Sequence, residues 1–194
     1  MQGFVHTLLS VFALLALVMV VAHAAETTTD AIKDSTILQT GQTICDKCPN
    51  SRCDMCPHGH EANLTMNLGL RTYIRALVGF RLPVPASQVT SCTVDFPDFS
   101  EPPRSEMEME ISTAVSSTWN EATVTGANAP ESGAAIAKVK VAPGGRMTGV
   151  DITPACRAAD ADGLFSIYLR AGWEYVQLPS KEAGKPATIN VVYS

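Results

Sequence analysis

The stretch Arg75-Ala76-Leu77-Val78-Gly79-Phe80-Arg81-Leu82, stopped by Pro83 and Pro85, decides the fold class. Ala76, Val78, Phe80 and Leu82 fall on one side of an extended chain, and Arg75, Leu77, Gly79 and Arg81 on the other, which is the period of two that a strand imposes. Proline brings no ladder donor, so the run ends there. The same period recurs outward in both directions. Upstream, Leu64, Met66 and Leu68 alternate with Thr65 and Asn67, and Thr36-Ile37-Leu38 reads as the first strand after a polar segment from Thr27 to Ser35. Downstream come Cys92, Val94 and Phe96, then Met107, Met109, Ile111, Thr113 and Val115 in alternation with Glu106, Glu108 and Glu110. Ala137, Val139 and Val141 alternate with Lys138 and Lys140, and strands are expected again at Met147 to Ile152, Phe165 to Leu169, Trp173 to Leu178 and Thr188 to Tyr193. Thr153 before Pro154 reads as an N-cap with proline at the first helical position, predicting one short helix to about Asp160. Turn signals such as Pro143-Gly144-Gly145 and Asp162-Gly163 recur about every ten residues. No strand–helix–strand alternation is visible. The fold class is therefore all-β, an antiparallel, jelly-roll-like β-sandwich with one short helix.

The chain opens with an apolar run from Leu8 to Val21 followed by Ala22-His23-Ala24, small residues at the positions a signal peptidase reads. This predicts a cleaved signal over 1–24 and a single domain over 25–194, about 170 residues, enough for one core. The run is shorter than the ~20 residues a spanning helix needs, so no membrane partner is expected after cleavage. Every charged side chain lies beyond residue 24, and the net charge of −5 without a basic run argues against nucleic acid. The expected location is secreted and extracellular.

Six cysteines in an oxidising compartment predict three disulfides from Cys45, Cys48, Cys53, Cys56, Cys92 and Cys156. Four of them crowd into Cys45-Asp46-Lys47-Cys48-Pro49-Asn50-Ser51-Arg52-Cys53-Asp54-Met55-Cys56, a Cys-rich insertion at about 41–62 with His58 and His60 close by. Two Cys-x-x-Cys knuckles also suit zinc, but their separation is short for a zinc ribbon and the compartment favours oxidation. Nested bridges, Cys45 with Cys56 and Cys48 with Cys53, would make a small stapled loop, although the connectivity is open. A bridge between Cys92 and Cys156 would close a long loop and tie the two sheets. Asn63-Leu64-Thr65 is an N-glycosylation sequon.

Glu106, Glu108 and Glu110 share one strand face and point outward about 7 Å apart, which describes a solvated face rather than a catalytic cluster. A structural calcium there, and zinc at the cysteines, are the metal alternatives to an expectation of no cofactor. The four histidines are His6, His23, His58 and His60, so a Ser-His-Asp or Cys-His arrangement is excluded outside the Cys-rich segment. Nothing selects a carboxylate pair for glycoside hydrolysis. No catalytic residue is expected.

Trp119-x-Glu121-x-Thr123-Val124-Thr125, then Asn128-Ala129-Pro130, Asp151-Ile152-Thr153 and the ending Ser180-Lys181-Glu182 follow one another in an order that resembles the secreted DNRLRE-type modules, carbohydrate-binding module family 96. The likeness runs from about Thr28 to Tyr193. It implies a β-sandwich that binds acidic, alginate-like polysaccharide without cutting it. The chain departs from the family pattern at Gly79 and Arg81, at Gly126 where a tryptophan is usual, and in the Cys-rich insertion. Sugars stack an apolar pyranose face on aromatic rings while arginines bind hydroxyls or uronates. The candidate carbohydrate-binding residues are accordingly Tyr73 with Arg71 and Arg75, and Trp173 with Tyr175 and Arg170, with added charge from Arg81 and Lys181. Trp119 is expected to be packed. The expected partner is a polysaccharide or glycan. The rival readings are an extracellular structural or adhesion protein that uses the Cys-rich loop for protein contacts, and a polysaccharide lyase or hydrolase.

Overall fold

A computed structural model describes residues 24–40, 48, 52–68 and 72–194. The expected signal, apart from its last residue, lies outside the described residues, as do Cys45 and Arg71. The strands are β1 (Ala25–Asp30), β2 (Lys33–Thr40), β3 (Asn63–Leu68), β4 (Thr72–Arg81), β5 (Val89–Asp95), β6 (Met107–Ala114), β7 (Ser132–Val141), β8 (Val150–Asp151), β9 (Leu164–Ala171), β10 (Val176–Pro179) and β11 (Thr188–Tyr193). One α-helix, α1 (Thr153–Arg157), precedes β9. The smaller sheet has the order β1-β11-β5-β8, and the larger runs β10-β3-β4-β9-β6-β7 with β2 also paired to β4. All strand pairings among the described residues are antiparallel, so the expected sandwich is what the chain forms.

β4, the strand the alternation marked out, is the hub of the larger sheet. Its residue Ala76 pairs with Thr36 of β2 on one edge and Leu169 of β9 on the other. Further along, Ile74 and Tyr73 pair with Asn67 and Leu68 of β3. Ala76, Val78, Phe80 and Leu82 turn inward and join Met109, Ile111, Phe165, Ile167 and Leu169 of their own sheet. Cys92, Val94, Ile189 and Val191 of the smaller sheet close that core. The Phe80 and Phe165 rings stack at 5.3 Å. Each such side chain contributes about 1.5–3 kcal/mol by leaving water.

Several local expectations are corrected. β1 was hidden by its polarity: as an edge strand it keeps Glu26, Thr28 and Asp30 exposed and gains its stability from the ladder to β11. The strand expected at Met147 to Ile152 shrinks to Val150–Asp151, and the one expected from Trp173 begins only at Val176. The helix starts at Thr153 with Ile152 in the cap position and ends at Arg157. Thr153 does not cap because its Oγ1 accepts the Cys92 N–H at 2.9 Å, while Asp151 Oδ1 accepts the Thr153 N–H.

The bridge between Cys92 and Cys156 spans 64 residues but ties β5 to α1 rather than sheet to sheet. In the Cys-rich segment Cys48 bonds Cys56, which overturns the nested pairing, and Cys53 is disulfide-bonded as well. Three of the four sulfurs that a zinc site would need are thus oxidised. Asn63 opens β3, where its Oδ1 accepts from the Ser100 hydroxyl at 2.7 Å.

Candidate functional site

The second phase of β4 and its neighbours forms the outer face of the larger sheet, and one half of that face is roofed. Residues 115–131, between β6 and β7, fold back over Ile37, Leu77 and Tyr168, which make a second buried cluster with Trp119 and Val124. Trp119 donates its Nε1–H to Ser166 Oγ at 3.0 Å. Lys33 puts its ammonium 4.3 Å from the Trp119 ring centroid and donates to the carbonyls of Ser117 (2.6 Å) and Trp119 (2.8 Å). Gly79 lies beneath: a Cβ there would come within 2.8 Å of the Lys33 methylenes and 3.2 Å of the indole. Trp119 is packed, as expected. The motif around it is a series of turns rather than the start of a strand, with Asn120 Oδ1 accepting the Ala122 N–H and Asn128 Oδ1 the Thr125 N–H.

The roof is clamped at its edges by charge and by close backbone approach. Glu121 accepts the Asp34 N–H at 2.6 Å and pairs with Lys181 at 3.0 Å. Asp34, almost wholly buried, accepts the Lys181 N–H at 2.8 Å, and burial pushes its carboxyl up to about 6. Lys181 also bonds Glu182, which raises its ammonium above the ordinary range ahead of the contribution from Glu121. The Cys-rich segment also packs against the roof, with the Ala127 N–H donated to the Asp54 carbonyl at 2.9 Å. A Cβ at Gly126 would sit 2.0 Å from the Leu38 carbonyl oxygen, and one at Gly59 2.1 Å from that of Glu121. The absence of the family's tryptophan at Gly126 has this cause: the backbone of β2 occupies the space.

The other half of the face lies open and carries the polar aromatic groups. Arg75, only 5% exposed, stands with its guanidinium carbon 4.0 Å from the Tyr168 ring centroid and 4.8 Å from that of Tyr73. Its Nη2 donates to Gln39 Oε1 at 3.3 Å, but its Nε–H is buried without an acceptor. Such an orphan costs about 1–3 kcal/mol. Tyr168 donates its hydroxyl proton to the Pro130 carbonyl at 2.5 Å, and burial pushes that phenol up to about 12. Arg170, two residues on from Tyr168, pairs with Glu110 at 2.7 Å, while Lys138 reaches Glu108 at 3.1 Å. The glutamate face is therefore a ladder of ion pairs with β9 and β7.

The expected site residues that are described separate into four places. Tyr73 and Arg170 share the open half of the face, with Arg75 buried at its boundary with the roof. Trp173 and Tyr175 are in the link from β9 to β10, 69% and 62% exposed, so Arg170 belongs with Tyr73 and not with them. Trp173 is nevertheless near in the ladder: Leu68, the partner of Tyr73, donates its N–H to Gly172 at 3.0 Å. Lys181 is spent on the roof. Arg81 is exposed at the far end of β4, eight residues and so roughly 26 Å from Tyr73. Sequence reasoning missed Tyr168, Gln39 and Glu110. The signal for Tyr168 was its phase, opposite to Phe165, Ile167 and Leu169.

The model for carbohydrate-binding module family 96 matches residues 55–192. An uncharacterized secreted protein of Arthroderma benhamiae is 41% identical over 163 residues, covering 84% of this chain and 83% of that protein. The family match takes in the roof and β3 to β11 but not β1, β2 or most of the Cys-rich insertion. With the motif residues Trp119 to Pro130 folded over the larger sheet and the family model matching most of the chain, the chain is a secreted member of carbohydrate-binding module family 96.

Proposed function

We propose that the open half of the larger sheet's outer face binds an acidic, alginate-like polysaccharide without cleaving it, with Tyr73, Arg75 and Arg170 as the binding residues. The observation that carries this is the pairing on one open face of a part-exposed tyrosine, Tyr73, with a part-exposed arginine, Arg170, around the buried guanidinium of Arg75. A uronate would compete with Glu110 for Arg170, whose side chain is 37% exposed, while the buried guanidinium of Arg75 adds positive charge behind it. Tyr73, half-buried, offers an aromatic edge for a pyranose. The non-catalytic reading is supported by the family and by the ion pairs that Glu108, Glu110 and Glu121 each make with a cation.

The test is gel electrophoresis of the purified protein through sodium alginate. Retardation that weakens with added salt is expected, with Tyr73→Ala and Arg170→Gln each weakening it about tenfold. Unretarded migration of the folded protein, or release of unsaturated uronate from the polymer, would defeat the proposal.

A further inference from the structure

Trp173 and Tyr175 are the only large aromatic side chains among the described residues that are mostly exposed, and they stand two residues apart. A monomeric fold normally covers such rings, so two together mark a surface built for contact. Tyr175 borders a cleft of about 320 Å³ whose walls are Pro102, Pro103, Val176, Glu101, Arg104 and Glu174. The cleft is held in shape from both sides. Gln177 Nε2 donates to the Tyr175 hydroxyl at 2.9 Å, and the Ser105 hydroxyl donates to Glu174 at 2.5 Å. The backbone enters it fixed too, because Asn67 Nδ2 donates to the Trp173 carbonyl at 3.5 Å.

The geometry points to a second carbohydrate site here, one that takes a neutral pyranose polymer, so that a single chain bridges two kinds of glycan. Two prolines and Tyr175 in the cleft wall, with the exposed Trp173 two residues before Tyr175, present flat, weakly hydrated surface, which matches the C–H face of a pyranose. Glu101 and Glu174 accept hydroxyl protons, and Arg104 donates. Two carboxylates against one guanidinium repel a uronate polymer, in contrast to the open sheet face with Arg75 and Arg170. The sites are chemically different and share no lining residue, so both can be filled at once. The neutral site rests on the chain's being a carbohydrate-binding module, and the bridging rests in addition on the proposal that the sheet face binds uronate.

The full mature protein is mixed with amorphous cellulose, the neutral probe, and pelleted; the bound protein is then challenged with fluorescent sodium alginate. The expected result is protein in the pellet and alginate brought down with it. Trp173→Ala, a change at an exposed ring, lowers cellulose binding about tenfold and leaves retardation in alginate gels unchanged, whereas Tyr73→Ala keeps cellulose binding and loses the alginate. Cellulose binding with no alginate capture would sink the sheet-face proposal and the bridging together while leaving the neutral site standing. Absence of the protein from the pellet, equal pelleting of Trp173→Ala, or a dimer in sedimentation that Trp173→Ala dissolves would overturn the neutral site.

Discussion

The two halves of the larger sheet's outer face start from the same strands and end as different materials. Under the roof, Ile37, Leu77 and Tyr168 meet Trp119 and Val124 and form a second core. Beyond it, Tyr73, Arg170, Glu108 and Glu110 remain partly open to solvent. Arg75 sits at the boundary, buried by tyrosines from both halves. The side chains of one strand face thus become core or site according to what is laid over them, and the covering segment comes from far along the chain. The family's most recognisable residues belong to the cover. They report fold more faithfully than ligand, because a motif packed at close quarters tolerates less change than a solvated one.

The sharpest way to break the contrast is to remove the roof. Trp119→Ala deletes a buried indole and its bond to Ser166, and is expected to lower unfolding free energy in urea by about 3–5 kcal/mol. Gly126→Ala forces a methyl against the Leu38 carbonyl and should cost about 1–3 kcal/mol in the same measurement, unlike an alanine at Gly144, where nothing lies within 4 Å. A third experiment uses pH. The Asp34 carboxyl is raised from 3.8 to about 6 by burial, so the folded state binds a proton more readily than the unfolded chain. Its contribution to stability is greatest at acid pH, falls as pH rises from 3.8 through about 6, and is flat above that. Asp34→Asn should flatten this part of the profile, and a wild-type minus variant difference that does not fall between pH 4 and 7 would show the roof's clamp to be insensitive to this carboxyl. The open half should give the smallest effect: Glu108→Ala removes an exposed pair with Lys138 and is expected to change stability by less than about 0.5 kcal/mol. A change of more than about 2 kcal/mol there would erase the distinction between the halves.

Much of this was legible in the chain. Period two in Arg75 to Leu82 identified the inner face of the hub strand, because pleat geometry is local. Polar edge strands carry no such signature, which is why β1 and the brevity of β8 escaped. For the site, composition pointed to Tyr73, Arg75 and Arg170 but grouped Arg170 with Trp173. Strand phase separates them only once the end of β9 is known, and Trp173 lies beyond that end. Lys181 looked like free charge because Glu121 and Asp34, its partners, are 60 and 147 positions away in sequence.

By itself the sequence determined the layered antiparallel architecture, the buried faces of its long strands and the oxidised state expected of its cysteines, since alternation, proline stops and cysteine parity are properties of short segments. The tertiary structure alone decided which cysteines pair and which half of the sheet is roofed. It alone decided which arginine is left with an unanswered donor. Those depend on contacts between segments tens of residues apart, whose meeting is a result of the whole fold's packing and is not written in any single stretch.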